Sequence, residues 1–267
     1  MSSMSSSPAL RSLRSMESAA SVWTRRIGDV VYPPACPGCG VITGSHRGFC
    51  AQCWSGLRFI ERPYCEVLGL PFSYDPSDPA LDEQLLISPE AIANPPVFDR
   101  LRAVAIHEGA ARSLVHALKY RDRTDLAAMM AGWMLRASET HVADCDAILP
   151  VPLHRSRMFW RRFNQAAELG RHLAAQSAKP FLAATLLRTK STQRQVGLTA
   201  RGREENVRAA FKVAAGREQD VFGKHIVLVD DVFTTGATVS SATRALKRAG
   251  AAEVTVLTFA MAIAGPI

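Results

Sequence analysis

The stretch that decides the fold is HIVLVDDVFTTGATVSSATRALKRAGA, which runs from residue 225 to residue 251. It joins an apolar run, two adjacent aspartates, a loop of threonine and glycine, and a helical segment that closes at Gly250. The apolar run predicts a buried strand, and the segment from Thr238 or Val239 onward predicts a helix. In open α/β sheets, ligands bind beyond the carboxyl ends of the strands, so the loop between these elements is a candidate binding site.

The residues of this loop suit a sugar phosphate. A helix start presents free backbone N–H groups that attract a phosphate, and Gly236 permits close backbone approach. Asp230 and Asp231 would repel a phosphate, but they can accept hydrogen bonds from the vicinal hydroxyls of a ribose or partner a Mg²⁺-bound sugar. Three hydroxyl donors follow, at Thr234, Thr235 and Thr238. We therefore predict a ribose 5-phosphate site, and an ordinary Thr-Gly turn is the alternative.

Apolar runs and helical patterns alternate from Leu101 to about Ala262. The strongest helical pattern is TDLAAMMAGWMLRAS, residues 124–138, in which apolar residues recur along one face. Strands that alternate with helices predict an α/β fold with a mainly parallel, doubly wound sheet, which we assign to residues 100–267. Neither a Walker phosphate loop nor a GxGxxG dinucleotide fingerprint occurs in the sequence.

Three segments precede this domain. Residues 1–20 are Ser-rich and predict a disordered tail, with a transit peptide as the alternative and Met1, Met4 or Met16 as the start of translation. Residues 21–57 contain four of the six cysteines and predict a zinc-binding module. Residues 58–99 are rich in proline and acid and predict a connector with little regular structure.

The cysteines of the module form two CxxC pairs, Cys36 with Cys39 and Cys50 with Cys53. This spacing is typical of a tetrahedral Cys₄ zinc site, and a metal would supply folding energy that so short a segment lacks. Redox-active or merely buried cysteines are the alternative. Cys145, just before a predicted strand, is expected to be inert packing.

The net charge of +8 at pH 7 is placed unevenly. Residues 154–208 contain twelve Lys/Arg and three Glu, which indicates either an anionic ligand or a solvated basic surface. The sequence has no apolar run of 18 residues and no secretory leader, so we expect a cytoplasmic protein without a membrane span.

The segment IVLVDDVFTTGAT, residues 226–238, resembles the phosphoribosyl pyrophosphate (PRPP) signature of type I phosphoribosyltransferases. The resemblance implies that PRPP binds with Mg²⁺ and that Asp230 and Asp231 hold its ribose hydroxyls. It further implies that the 5-phosphate is wrapped by Thr234, Thr235, Gly236, Ala237 and Thr238. Some purine-salvage members have a base-handling aspartate at the position of Thr234, so this chain looks more like the orotate type.

Five motifs resemble, in their order along the chain, the ComF family of competence-associated, amidophosphoribosyltransferase-like proteins. They are CPGCG…FCAQCW, HALKYRDRTDLA, VPLHRSRMFWRRFNQAAEL, RTKSTQRQVGLTARGREENV and VLVDDVFTTGAT. Many ComF proteins have a further CxxC pair after the first two, but here Cys65 is followed by Leu68 where the second cysteine would stand.

The phosphoribosyltransferase resemblance implies a pyrophosphate loop after the strand that ends at Pro150, with Val151, Arg155 and Arg162 as candidate contacts; a basic helix start that faces solvent is the alternative. A long polar segment that closes over the site would bring two candidate catalytic cations, Lys190 and Arg194, to the leaving pyrophosphate. The predicted activity is transfer of phosphoribose to an unidentified acceptor, linked to nucleoside metabolism and DNA uptake. The alternative is a non-catalytic PRPP sensor that binds single-stranded DNA beside a competence helicase. A purely structural zinc scaffold leaves the two aspartates unexplained.

Overall fold

The computed structural model describes residues 33–44, 48–72, 86–120, 123–153, 163–189 and 210–263. Its strands are β1 (Arg100–Ile106), β2 (Ala147–Pro150), β3 (Leu186–Arg188), β4 (Phe211–Val213), β5 (His225–Phe233) and β6 (Glu253–Met261). Its helices are α1 (Ala51–Ser55), α2 (Pro89–Ala93), α3 (Gly109–Tyr120), α4 (Asp125–Ala137), α5 (Glu139–Asp144), α6 (Gln165–Ser177) and α7 (Ala237–Arg248).

Four of the strands form a parallel sheet in the order β1-β6-β5-β2. An isolated parallel bridge between Ile148 and Phe181 continues the pairing on the outer side of β2. β3 and β4 form a separate antiparallel pair. The predicted mainly parallel α/β fold is therefore confirmed.

Both faces of the sheet are covered, as expected of a doubly wound fold. On one face, α3, α4 and α6 pack against alternate residues of β5 such as Val227 and Val229. On the other face, α7 and the β3–β4 pair pack against Ile226 and Leu228. Because successive residues of a strand point to opposite faces, β5 is apolar at every position of its buried part.

The segment after the cysteines is more structured than the predicted connector. Phe59 forms an antiparallel bridge to Ala105, so this segment lies along the free edge of β1. Farther along, the buried Arg102 donates to the carbonyl oxygen of Glu66 at 2.8 Å and stacks on Tyr64 at 4.7 Å from the ring centroid. These contacts could not be predicted from the composition of the proline-rich segment, because they depend on residues of the sheet domain.

Helix ends follow the sequence closely. The side chain of Asn164 caps α6 by accepting from the backbone N–H of Ala166 at 3.1 Å. α7 begins at Ala237, one residue before the predicted start, because Gly236 provides the left-handed turn into the helix. Within the described ranges, no helix combines the length and the apolar character needed to cross a membrane.

Candidate functional site

The site lies where β5 extends beyond its neighbour β2. β2 ends at Pro150, opposite Val229, and the N–H of Val151 donates to the carbonyl of Val229 at 2.8 Å. β5 continues to Phe233 and pairs there with β6 alone.

After β2 the chain passes to the outer edge of the sheet, where Phe181 bridges to Ile148. After β5 it passes in the opposite direction along the sheet, through α7 to β6. The crevice between the ends of β2 and β5 is therefore the topological switch point at which open α/β sheets bind ligands.

The loop after β5 leads from the end of that strand into α7. Gly236 occupies the N-cap position of α7 with φ of 73° and, having no side chain, cannot cap the helix itself. A Cβ at Gly236 would lie 2.9 Å from the ring of Phe233, so both the backbone conformation and the space require glycine. Thr234 and Thr235 are exposed, whereas Ala237 and Thr238 are half-buried. A helix start with glycine at its N-cap, flanked by hydroxyls, is suited to an anion.

The two aspartates differ in their surroundings. Asp230 is half-buried, and its Oδ1 accepts from the backbone N–H of Asp231 at 2.9 Å. Burial, followed by the adjacent charge of Asp231, raises the pKa of Asp230 to about 7. Asp231 forms an ion pair with Lys119, with 2.8 Å between Oδ2 and Nζ. Lys119 thus pairs with one carboxyl group of the acidic pair, and a ligand that donates a hydrogen bond to Asp230 would favour its ionised form.

Lys119 was not singled out in the sequence, although it lies within the HALKYRDRTDLA motif. It lies at the carboxyl end of α3, which begins just after β1 and reaches across the sheet edge to Asp231. His107, at the end of β1, is a neighbour: burial and the charges of Lys119 and Arg112 lower its pKa. The imidazole is therefore neutral at pH 7 and adds no positive charge to that of Lys119.

The other predicted ligand contacts are placed only in part. Val151 is buried at the end of β2, where its N–H is already used by Val229. Four predicted cations lie outside the described residues: Arg155, Arg162, Lys190 and Arg194. β3 and β4, which come before and after the last two of these residues in the sequence, pair with each other beside α7.

A second site is formed by the four cysteines of the N-terminal module. The sulfur atoms of Cys36, Cys39, Cys50 and Cys53 all lie within 4.8 Å of one another. The sulfurs of Cys39 and Cys50 are 3.7 Å apart, which matches the roughly 3.8 Å expected between two ligands of a tetrahedral zinc with Zn–S distances of about 2.3 Å.

The surroundings of the sulfurs also fit zinc. Burial opposes ionisation of Cys36, yet hydrogen bonds from backbone N–H groups, first that of Cys50, lower its pKa to about 6. A Cβ at Gly38 would lie 2.8 Å from the sulfur of Cys53, so glycine keeps the cluster open. Backbone donors favour the thiolate of Cys36, which is the form that binds zinc, whereas burial and the neighbouring sulfurs raise the pKa of Cys53.

Cys65 occupies a similar turn without metal-binding partners. Its sulfur accepts from the backbone N–H groups of Leu68 at 3.4 Å and Ser88 at 3.3 Å, and its side chain is fully buried. Among the described residues, the only group of three or more metal-binding side chains is the set of four cysteines.

We predict one zinc per chain. Replacing Cys65 by Ala should leave the zinc content unchanged, because its sulfur is hydrogen-bonded to Leu68 and Ser88 and is not part of the four-cysteine group. Replacing Cys39 by Ala should remove most of the zinc. Metal analysis of the purified variants checks both results, and a wild-type content of two zinc ions per chain would show that the prediction is wrong.

The fold and the two sites define a class of protein, a phosphoribosyltransferase-type α/β domain preceded by a zinc ribbon. Residues 27–83 match the double zinc ribbon domain family, and this match extends into the segment expected to be a connector. Residues 167–266 match the phosphoribosyl transferase domain family.

Whole-chain relatives define the family. The chain is 36% identical to DNA utilization protein YhgH of Salmonella typhimurium, over 79% of this chain and 89% of the relative. It is 28% identical to competence protein F of Haemophilus influenzae over the same shares of each chain. A solved structure, the glutamine PRPP amidotransferase of B. subtilis, is 24% identical over 50% of this chain and 25% of that chain, with a TM-score of 0.33. The chain belongs to the ComF family, which includes the YhgH proteins.

Proposed function

We propose that this chain binds Mg²⁺-bound PRPP in the crevice between β2 and β5 and transfers its phosphoribosyl group to an acceptor. One observation carries the proposal: an acidic pair near the end of β5 is followed five residues later by a left-handed glycine at the N-cap of α7. A carboxylate pair selects hydroxyls or a cation, whereas a helix start selects an anion. A ribose 5-phosphate offers hydroxyls to the carboxylate pair and a phosphate to the helix start. The strand end and the turn that follows place these two partners next to each other.

Each part of the ligand has a partner in this arrangement. The 5-phosphate would accept from the backbone N–H groups and hydroxyls of residues 234–238. The ribose hydroxyls would donate to Asp230 and Asp231, and carboxylate oxygens of this kind also suit Mg²⁺. Bound Mg²⁺ would neutralise charge on the pyrophosphate. Donation to Asp230 favours its ionised form and so lowers the pKa that burial has raised.

The transfer would break the bond between ribose C1 and a pyrophosphate oxygen and form a bond from C1 to the acceptor. Pyrophosphate leaves with the electron pair, so cations near it would stabilise the transition state. We assign this role to Arg155, Arg162, Lys190 and Arg194, with the backbone at Val151 shaping the loop. Thr234 does not supply a general base. The acceptor would therefore have to lose its proton without help from that position.

Calorimetric titration with PRPP tests the binding step. We expect saturable binding that requires Mg²⁺, and weaker binding of ribose 5-phosphate, which lacks the pyrophosphate. A folded protein that takes up neither ligand would contradict the proposal. Pyrophosphate release during incubation with Mg²⁺, PRPP and a panel of bases and amines then tests the transfer step separately.

We predict that Lys119→Met weakens PRPP binding roughly tenfold, since the loss of one charged contact costs about 1.5 kcal/mol. The lysine neutralises Asp231, and its charge also lowers the pKa of Asp230. Without it, more of Asp230 is protonated at neutral pH and the binding profile moves to higher pH. Titrations between about pH 6 and pH 8 measure this shift.

A matched control for this variant is Lys247→Met. Lys247 also pairs with an aspartate, Asp99, with 2.7 Å between Nζ and Oδ2, but it lies at the carboxyl end of α7, away from the crevice. We expect its PRPP affinity and pH profile to match the wild type. Equal affinities for all three proteins would remove Lys119 from the binding site.

A second candidate function is that of an accessory protein for single-stranded DNA, with PRPP as a regulator and a competence helicase as a partner. It is favoured by the names of two relatives, DNA utilization protein and competence protein F, and by the net charge of +8. Binding that depends on phosphate contacts should weaken steeply with salt. Salt-insensitive or absent binding of single-stranded DNA would count against this function.

A further inference from the structure

A cavity of about 570 Å³ lies between the zinc module and the face of the sheet covered by α4. It is lined by Trp54 of α1, Phe59 and Tyr64 of the following segment, Trp133 of α4 and Val104 of β1. None of residues 230–238 lines it, so it is distinct from the crevice between β2 and β5. Its volume falls within the roughly 300–1,000 Å³ range of small-molecule sites.

The walls of the cavity are aromatic rings held at fixed angles. The ring centroids of Trp54 and Trp133 are 5.9 Å apart with an interplanar angle of 75°. Phe59 lies 5.7 Å from Trp54 and 5.6 Å from Trp133. Trp133 is also stacked on Phe259 of the sheet, so this corner is anchored in the core of the domain. The rings therefore form a preorganised wall rather than a set of mobile surface residues.

Trp54 is the exception in this wall, because it is 52% exposed. It lies on a short helix without buried residues, next to the zinc-binding cysteines. A large aromatic ring that packs beside other rings and leaves about half of its surface in water can serve as a platform on which a planar group stacks.

Arginines provide charge at the same cavity. Arg62, Arg136 and Glu61 contribute to its lining, and Arg62 also forms an ion pair with Glu66, with 2.8 Å between Nη1 and Oε1. Arg136 is exposed in the last turn of α4, and the guanidinium of Arg62 lies 5.0 Å from the ring centroid of Tyr64. Guanidinium groups bind phosphate through paired hydrogen bonds, so the cavity joins a ring-stacking wall to an anion-binding rim.

We propose that this cavity binds a nucleotide unit, with the base stacked on Trp54 and the phosphate held by Arg136 and Arg62. A free nucleotide and an unpaired nucleotide within a single strand share this chemistry. A base inside a duplex is excluded, because both of its faces are already stacked. The site is independent of the proposed PRPP site and stands even if PRPP does not bind.

Two probes test the proposal: a fluorescein-labelled single-stranded oligothymidylate, followed by anisotropy, and free dTMP, followed by calorimetry. We expect Trp54→Ala to weaken binding roughly tenfold or more, the loss typical of one stacked base. Trp54→Phe should retain more affinity, because it keeps a ring. Arg136→Gln should weaken binding and reduce its salt dependence. Phe222→Ala removes an exposed ring outside the cavity and should behave as the wild type.

The outcomes separate the two sources of the nucleotide. If the wild type binds both probes and Trp54→Ala loses both, the cavity is a nucleotide site that is open to free ligand. If the wild type binds only the oligonucleotide and Trp54→Ala loses it, the ligand is a single strand. Zinc content and Mg²⁺·PRPP affinity should be unchanged in this variant. If Trp54→Ala loses zinc, the comparison passes to Trp54→Phe and Arg136→Gln. Wild-type protein that binds neither probe, or variants that all bind as tightly as the wild type, would overturn the proposal.

Discussion

The double variant Asp230→Asn/Asp231→Asn is expected to lose Mg²⁺·PRPP affinity by roughly a hundredfold or more, since each charged acceptor contributes about 1.5–3 kcal/mol. Asparagine has nearly the same shape as aspartate, so the loss reports charge and acceptor strength rather than packing. Equilibrium titration by calorimetry measures it. Asp99→Asn is the matched control, because Asp99 pairs with Lys247 away from the crevice and should leave PRPP affinity unchanged.

The single variant Asp230→Asn separates binding from folding. Burial raises the pKa of Asp230 in the folded protein, so the folded state takes up a proton there and becomes less stable as pH rises from about 4 towards 7. Asparagine removes this cost. The variant should therefore melt at pH 8 no lower than the wild type while binding PRPP more weakly. A variant with full affinity would exclude Asp230 from the site.

Removal of zinc should unfold the N-terminal module while the parallel sheet stays folded. Few side chains of the module are buried, Cys36 and Leu57 among them, so it has little core of its own. Structural zinc provides about 10–16 kcal/mol to small domains of this kind. Hydrogen exchange before and after chelation should show loss of protection around Cys36 and Cys50. Amides of β5 and β6 should remain protected, because they lie between two apolar layers.

Variants of the cysteines give the same test without a chelator. Cys36→Ser should reproduce the loss of protection in the module. Cys145→Ala is the control, since Cys145 is buried outside the module and burial raises the pKa of its thiol to about 11. It should keep its zinc and its protection pattern. A module that remains protected after complete removal of zinc would mean that apolar contacts with α3 and α4 hold it.

The elements predicted from the sequence are those with strong local signals. Three such signals each lie within about a dozen residues: the apolar run of β5, the recurrence of apolar residues along one face of α4, and the cap of α6. The structure has all three elements. β3 and β4 were not predicted, because three-residue strands are too short to show alternation and they exist only by pairing with each other. The structured edge at Phe59 was missed for a similar reason, as its partner is Ala105.

The candidate sites show the same division between local and long-range information. CxxC spacing brings the four sulfurs together within one short segment, so the metal site could be predicted. The acidic pair and the helix start are likewise contiguous. Lys119 reaches Asp231 only because α3 crosses the sheet edge, and no local pattern encodes that path. The aromatic cavity joins Trp54 to Trp133 across two modules, which periodicity within either segment does not reveal.

A crystal structure of the protein with Mg²⁺ and PRPP tests the central claim most directly. The account predicts the 5-phosphate against the backbone N–H groups of residues 235–238 and the ribose hydroxyls within hydrogen-bond distance of Asp230 and Asp231. Density for the ligand at any other place, with the start of α7 free of phosphate, would contradict it.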